Sequence, residues 1–111
     1  MLFIETRGND GEHADKVSFS HAILNPLASF GGLYSPQQLP EISQSQLAEL
    51  LQSDYKGLAK FILDLFEVDI DEQVIAEALT LYDKFDDAKN PVPLVRGREE
   101  LYVSELYQRT T

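Results

Sequence analysis

Cysteine is absent from this chain, which excludes disulfides and thiolate metal sites. Basic residues are scarce, with nine Lys and Arg against 19 Asp and Glu and a net charge of −10. Phosphate backbones and anionic membrane surfaces both select clustered positive charge, so neither nucleic acid nor a membrane is expected as a partner. No apolar run approaches the roughly 18 residues that a membrane helix needs. The opening stretch, MLFIETRGND, lacks the basic flank and long apolar segment of a secretory leader, and a cytoplasmic setting is expected. Only two histidines occur, His13 and His21, eight residues apart. That spacing is wrong for a helical i, i+4 metal pair, and no nucleophile or third ligand accompanies them.

What is present suits one small folded domain. The 111 residues are 43% hydrophobic and include six Phe and five Tyr, enough for a real core. A domain of this size buries a limited share of its surface, so modest stability is expected. There is no internal repeat, low-complexity tract or linker.

The pattern predicts an α+β fold. Residues 2–6 read as a strand, followed by a Gly8-Asn9-Asp10-Gly11 loop of residues that tolerate turn conformations. Ser18 is placed to cap a helix over about residues 19–27, with Phe19, Ala22, Ile23 and Leu27 on one face. Pro26 forces a break near its end. Gly31-Gly32 permits positive φ or a close backbone approach, and Pro36 and Pro40 stiffen an extended exit. Ser43 and Gln46 form a capping box for a short helix over about residues 44–52. Two longer amphipathic helices follow. One carries the stripe Tyr55, Leu58, Ala59, Ile62, Leu63 and Phe66; the other carries Val74, Ile75, Ala78, Leu79, Tyr82 and Phe85. Asp69 and Glu72 are placed to cap the second. Residues 92–95 and 100–107 read as a hairpin around Arg96-Gly97-Arg98-Glu99. Because a lone hairpin is marginal in water, residues 2–6, 92–95 and 100–107 are expected to form one three-stranded antiparallel sheet, with about four helices on one face.

Few residues carry chemistry. The acidic groups Asp69, Asp71, Glu72 and Asp83, Asp86, Asp87 lack the central glycine of a calcium loop. They read as a helix start and a solvated helix end, and no metal is expected. Gly31-Gly32 follows a helix and lacks the spaced glycines or Gly-Lys-Ser/Thr of a phosphate loop, so it reads as a structural turn. Ser18, Ser20 and Ser35 have no His/Asp arrangement beside them. Arg7, just after a strand and next to Gly8, is the one side chain singled out. Its fork can grip a carboxylate or phosphate; the plainer alternative is a surface ion pair worth under about 1 kcal/mol.

The ordered set of motifs nevertheless resembles the N-terminal domain of threonine synthase. It comprises Thr6-Arg7-Gly8; Val17, Phe19 and Ala22; Leu27-Ala28; Gly31-Gly32-Leu33-Tyr34; Pro36; and Leu39-Pro40. It continues through Tyr55-Lys56, Leu58-Ala59, Ile62-Leu63, Leu65-Phe66, Tyr82, Phe85, Pro93-Leu94-Val95 and Leu101-Tyr102-Val103 to Glu105-Leu106-Tyr107. The resemblance implies a domain over residues 1–107 and a tail, 108–111, that departs from the family pattern. It also implies a parent enzyme that uses pyridoxal phosphate to convert O-phosphohomoserine and water to threonine and phosphate. In the family, Glu-Leu-Tyr/Phe runs into His-Gly-Pro-Thr and a Phe-Lys-Asp whose lysine binds the cofactor; here Gln108-Arg109-Thr110 follow. The resemblance therefore carries no catalytic or cofactor-binding residue onto this chain, which is expected to be inactive alone, with the parent's catalytic domain as its partner and Arg7 a candidate on the substrate cleft. The rival expectation is a free-standing interaction module derived from that domain, with the strand over residues 101–106 as an open edge. A small carboxylate enzyme is the third, without a pair of acids in contrasting environments to support it.

Overall fold

The computed structural model describes residues 1–106; Tyr107 and the tail expected at 108–111 lie outside the described residues. The chain starts with β1 (Phe3–Glu5), β2 (Lys16–Val17) and α1 (Phe19–Leu24), then makes a tight turn at Ser29–Gly31 before β3 (Tyr34–Pro36). Three helices follow, α2 (Gln44–Leu50), α3 (Tyr55–Leu65) and α4 (Glu72–Leu79), the last continued as a 3-10 turn over Thr80–Lys84. The hairpin β4 (Leu94–Arg96) and β5 (Tyr102–Ser104) closes the described chain. The architecture is α+β, with a three-stranded antiparallel sheet and four α-helices among the described residues.

The composition of that sheet differs from expectation. Its order is β2-β1-β3, and β4-β5 stands apart as a separate two-stranded ribbon. The strand at the N-terminus pairs Phe3 with Val17 and with Pro36, and Glu5 with Tyr34. Those partners lie within about thirty residues, so closing the loops costs less chain entropy than recruiting the hairpin some ninety residues away. Side chains add to the bias. Thr6 Oγ1 donates to the Leu33 carbonyl at 3.0 Å and accepts from the Leu33 N–H at 3.1 Å. Pro36 lacks an N–H to donate, which an edge strand tolerates. What read as a stiff exit strip is therefore the sheet's third strand.

Two helices begin at the caps expected from sequence. Ser18 Oγ accepts from the His21 N–H, and α1 stops at Leu24, before Pro26. Ser43 and Gln46 make the reciprocal capping box. Asp54 caps α3 through the Gly57 N–H at 2.7 Å. The cap of α4 is Asp71, accepting from the Gln73 N–H at 2.8 Å, in place of Asp69. Asp69 is engaged elsewhere: it takes the Ser20 N–H at 2.8 Å and the Ser20 hydroxyl at 2.5 Å, tying α1 to the segment between α3 and α4.

The core is thin. Phe3, Val17, Ala28, Leu50 and Ile75 are buried, with Phe19 packed on Phe3 at a ring separation of 5.6 Å. The stripe of α3 is half-buried for most of its length and lines an open apolar groove with Leu79 and Tyr82. The radius of gyration, 17.0 Å, exceeds the ~13 Å of a compact domain of this length. Much of the apolar surface has no neighbour within the described chain.

Candidate functional site

The one side chain singled out from sequence and the double glycine meet in space. Arg7 leaves β1 at the sheet's end and lies along Gly31-Gly32. A Cβ on Gly32 would stand 3.2 Å from both the Arg7 Cβ and the Arg7 backbone N, and 3.3 Å from Thr6 Oγ1. Any larger residue there would push this strand end away. Gly31 has φ 70°, a conformation that glycine alone adopts without a steric cost, and its own added Cβ would meet Arg7 Nη1 at 3.9 Å. The backbone closes the corner: Ala28 N–H donates to Gly32 O, Gly32 N–H to Ser29 O, and Thr6 N–H to Leu33 O, all within 3.1 Å. Thr6-Arg7-Gly8 and Gly31-Gly32-Leu33 are thus two halves of one joint.

Charge is distributed unevenly across that joint. Glu5 Oε1 accepts from Ser29 Oγ at 3.1 Å and from Asn9 Nδ2 at 3.2 Å. Its second oxygen, Oε2, is buried without a partner. Arg7 is exposed and, among the described residues, forms no ion pair with a carboxylate. Its guanidinium fork remains available to an outside anion. Phe30, the residue before Gly31, has φ 54° and 66% of its surface exposed. A bulky residue in the left-handed region is strained by about 1–2 kcal/mol, and sequence gave no hint of it beyond the glycines that follow.

The remaining candidates separate. His13 is held by Asp10, Nδ1 to Oδ2 at 2.8 Å, which raises the imidazole above its usual pKa. The His13 and Glu12 backbone N–H groups in turn hold the Asp10 carboxyl well below the ordinary range. This is a self-contained loop lock. His21 is exposed on α1, edge-on to Tyr34 at 6.3 Å. The Asp69 carboxyl falls to about 2, because the Ser20 hydroxyl and then its N–H favour the charged form. Asp83 pairs with Lys56 at 2.7 Å. Among the described residues no group of three or more His, Asp or Glu is arranged to hold a metal.

The lysines do not fit a pyridoxal Schiff base. That role needs a desolvated amine with a lowered pKa. Lys56 is committed to Asp83, and Lys60 to Asp64 at 2.8 Å with Glu72 at 3.7 Å. The Asp64 carboxylate pushes the Lys60 pKa upward, the wrong direction. Lys16, Lys84 and Lys89 are exposed. No step of such chemistry can be drawn through these residues.

These elements make a thin-cored α+β unit with a well-made joint between β1 and Gly31-Gly32. Its family follows from comparison. The family described as "Threonine synthase N terminus" matches residues 2–80. Threonine synthase of Methylobacillus glycogenes is 31% identical over 115 residues, covering 96% of this chain and 23% of that protein. Threonine synthase-like 2 of Homo sapiens is 31% identical over 117 residues, covering 100% and 22%. The crystal structure of threonine synthase from Escherichia coli superposes with a TM-score of 0.68 at 27% identity, over 96% of this chain and 23% of that one. The chain belongs to the threonine synthase N-terminal family. It spans 22–24% of the length of the first curated relatives it matches.

Proposed function

We propose that this chain serves as the N-terminal supporting domain of a threonine synthase, over residues 1–107, with the catalytic domain of that enzyme as its partner. The observation that carries the reading is the family match over residues 2–80, in a unit whose apolar surface is left largely uncovered. Leu24, Leu27, Phe30 and Leu33, all within the segment from the end of α1 to the start of β3, are 58–79% exposed, a concentration of apolar side chains suited to an intramolecular interface. The parent reaction is the conversion of O-phosphohomoserine and water to threonine and phosphate. Pyridoxal phosphate and the lysine that binds it belong to the parent, and the chain alone has no such activity. Its acidic, cysteine-free composition supports a cytoplasmic setting.

Replacing the matching N-terminal region of the E. coli enzyme with this chain through Leu106 tests the reading. The chimera is expected to support growth of a threonine auxotroph, and the isolated chain is not. A folded chimera without threonine synthase activity would overturn the assignment.

The unpaired guanidinium favours one finer reading, that Arg7 borders the substrate cleft and helps to hold an anionic group. In the chimera, Arg7→Ala then raises KM for O-phosphohomoserine or lowers kcat, while Arg98→Ala, a charge change at the distant hairpin, does neither. Unchanged kinetics in Arg7→Ala would leave Arg7 a surface cation.

A further inference from the structure

We propose that Glu5 is the positioning residue of the Arg7 joint: its carboxylate clamps the loop that follows Arg7 and the turn beside it, so that the guanidinium meets the anionic end of a phosphate-ester substrate from a fixed base. This rests on the reading above that Arg7 borders the substrate cleft, and it names what holds Arg7 there.

Glu5 ends β1, two residues before Arg7. Its Oε1 takes hydrogen bonds from two different segments. One comes from Asn9 Nδ2 at 3.2 Å, two residues after Arg7. The other comes from Ser29 Oγ at 3.1 Å, at the start of the turn that leads into Gly31-Gly32. The Glu5–Asn9 contact therefore closes a short loop with Arg7 at its middle. Gly8 takes the bend in that loop at φ 86°, a conformation suited to glycine. Asn9 is engaged on its far side as well: Nδ2 also donates to the His13 carbonyl at 2.8 Å, and Oδ1 accepts from the Gly11 N–H at 2.6 Å.

The Ser29 bond secures the other flank. Ser29 is only 5% exposed, and the two residues after it, Phe30 at φ 54° and Gly31 at φ 70°, are both left-handed. A bulky residue persists in that region only where its surroundings over-determine it. The tie from Ser29 to Glu5 and the tight fit of Gly32 against Arg7 supply that constraint. Glu5 Oε2 is meanwhile buried with no partner, and an unmet buried acceptor costs free energy. Costly local arrangements of this kind collect where the position of a neighbouring group matters. The neighbour that these contacts surround is Arg7. Glu5 is the carboxylate nearest to Arg7 in sequence, yet it spends its oxygen on Asn9 and Ser29 and leaves the guanidinium fork open.

Two measurements test this, one of them without catalysis. In the full 111-residue chain, nitrogen-15 relaxation should give the Arg7 amide an order parameter of about 0.85, like that of Ile4 in β1. Glu5→Ala should lower it below about 0.6 at Arg7 and leave Ile4 rigid. An Arg7 amide as rigid in Glu5→Ala as in the wild type would overturn the proposal. So would an equal loss at Ile4, which would make Glu5 a general stabiliser. Ser29→Ala removes one tie and little bulk; it should show the same effect in smaller measure and decides the matter if Glu5→Ala does not fold.

In the chimera with the E. coli enzyme, Glu5→Ala should raise KM for O-phosphohomoserine on the order of tenfold with kcat little changed. Glu5→Gln keeps one accepting oxygen for both donors and should restore KM. In an Arg7→Ala background, Glu5→Ala should add nothing, because it acts through Arg7. Additive effects would overturn the proposal. Lost Arg7 order in Glu5→Ala, together with unchanged kinetics in Arg7→Ala, would sink the cleft reading while the clamp stands, so the two fail separately.

Discussion

The β1–β3 joint and the β4–β5 hairpin are both antiparallel and built from strands of two or three residues, but their ends are treated differently. At the joint, Phe3 and Val17 are buried, and Thr6 and Leu33 exchange reciprocal bonds. At the hairpin, no strand residue is buried, with Val95 and Val103 on one face and Leu94, Arg96, Tyr102 and Ser104 on the other. Strand pairing is the same chemistry in each. The difference lies in what stands behind the ladder, since burial and not the backbone bond supplies most of the net stabilisation.

The largest expected contrast is in side-chain truncation. Phe3→Ala should cost about 3 kcal/mol in urea unfolding, the usual scale for losing a buried ring, while Leu94→Ala should stay within about 0.5 kcal/mol in the isolated chain. A large loss from Leu94→Ala would mean that the hairpin already packs within this domain. Backbone space offers a second comparison. Gly32→Ala places a Cβ 3.2 Å from Arg7 and should cost about 1–3 kcal/mol through overpacking. Gly97→Ala, whose Cβ meets Leu101 alone, its O at 3.4 Å and its side chain at 3.8 Å, should be nearly neutral. Equal midpoints for the two variants would dissolve the distinction.

Smaller effects separate strain from charge within the joint region. Phe30→Asn should raise stability by about 0.5–1 kcal/mol, because asparagine tolerates positive φ and little of Phe30 is buried. The Ser20–Asp69 tie makes stability depend on acid. The Asp69 pKa is lowered from 3.8 to about 2, so its contribution is fully present above pH 3.8 and disappears as pH falls through about 2. Asp69→Asn should flatten that limb of the stability profile. The faintest effect is at His13, whose raised pKa makes its contribution present below pH 6.5 and lost as pH rises through the folded value. His13→Asn should remove this shallow slope in a pH series of melting temperatures.

Local features of the fold were legible in the residues. Ser18, the Ser43–Gln46 box and the break before Pro26 act within one turn of backbone, so their neighbours in sequence are their neighbours in space. The hairpin was legible for the same reason. The partners of β1 were not, because Lys16–Val17 is too short to show alternation and Ser35-Pro36 carries no strand propensity. Asp69 misled in a similar way: at the start of an apolar stripe it looks like a cap, and only Ser20, forty-nine residues away, claims it instead. Of the candidate site, Arg7 and Gly31-Gly32 could each be singled out, but nothing in either pattern said that they touch.

Sequence by itself determined the class, the helices with the Ser18 and Ser43–Gln46 caps, the hairpin, and the absence of cysteine chemistry, since each depends on contacts a few residues apart or on composition. The resemblance of its ordered motifs also pointed to the threonine synthase family. Only the tertiary structure decided which strands share a sheet, why Gly32 has no room for a side chain, and which apolar residues remain uncovered. Those outcomes depend on loop closure and burial between distant segments, and burial is a property of the folded surface that no single residue carries.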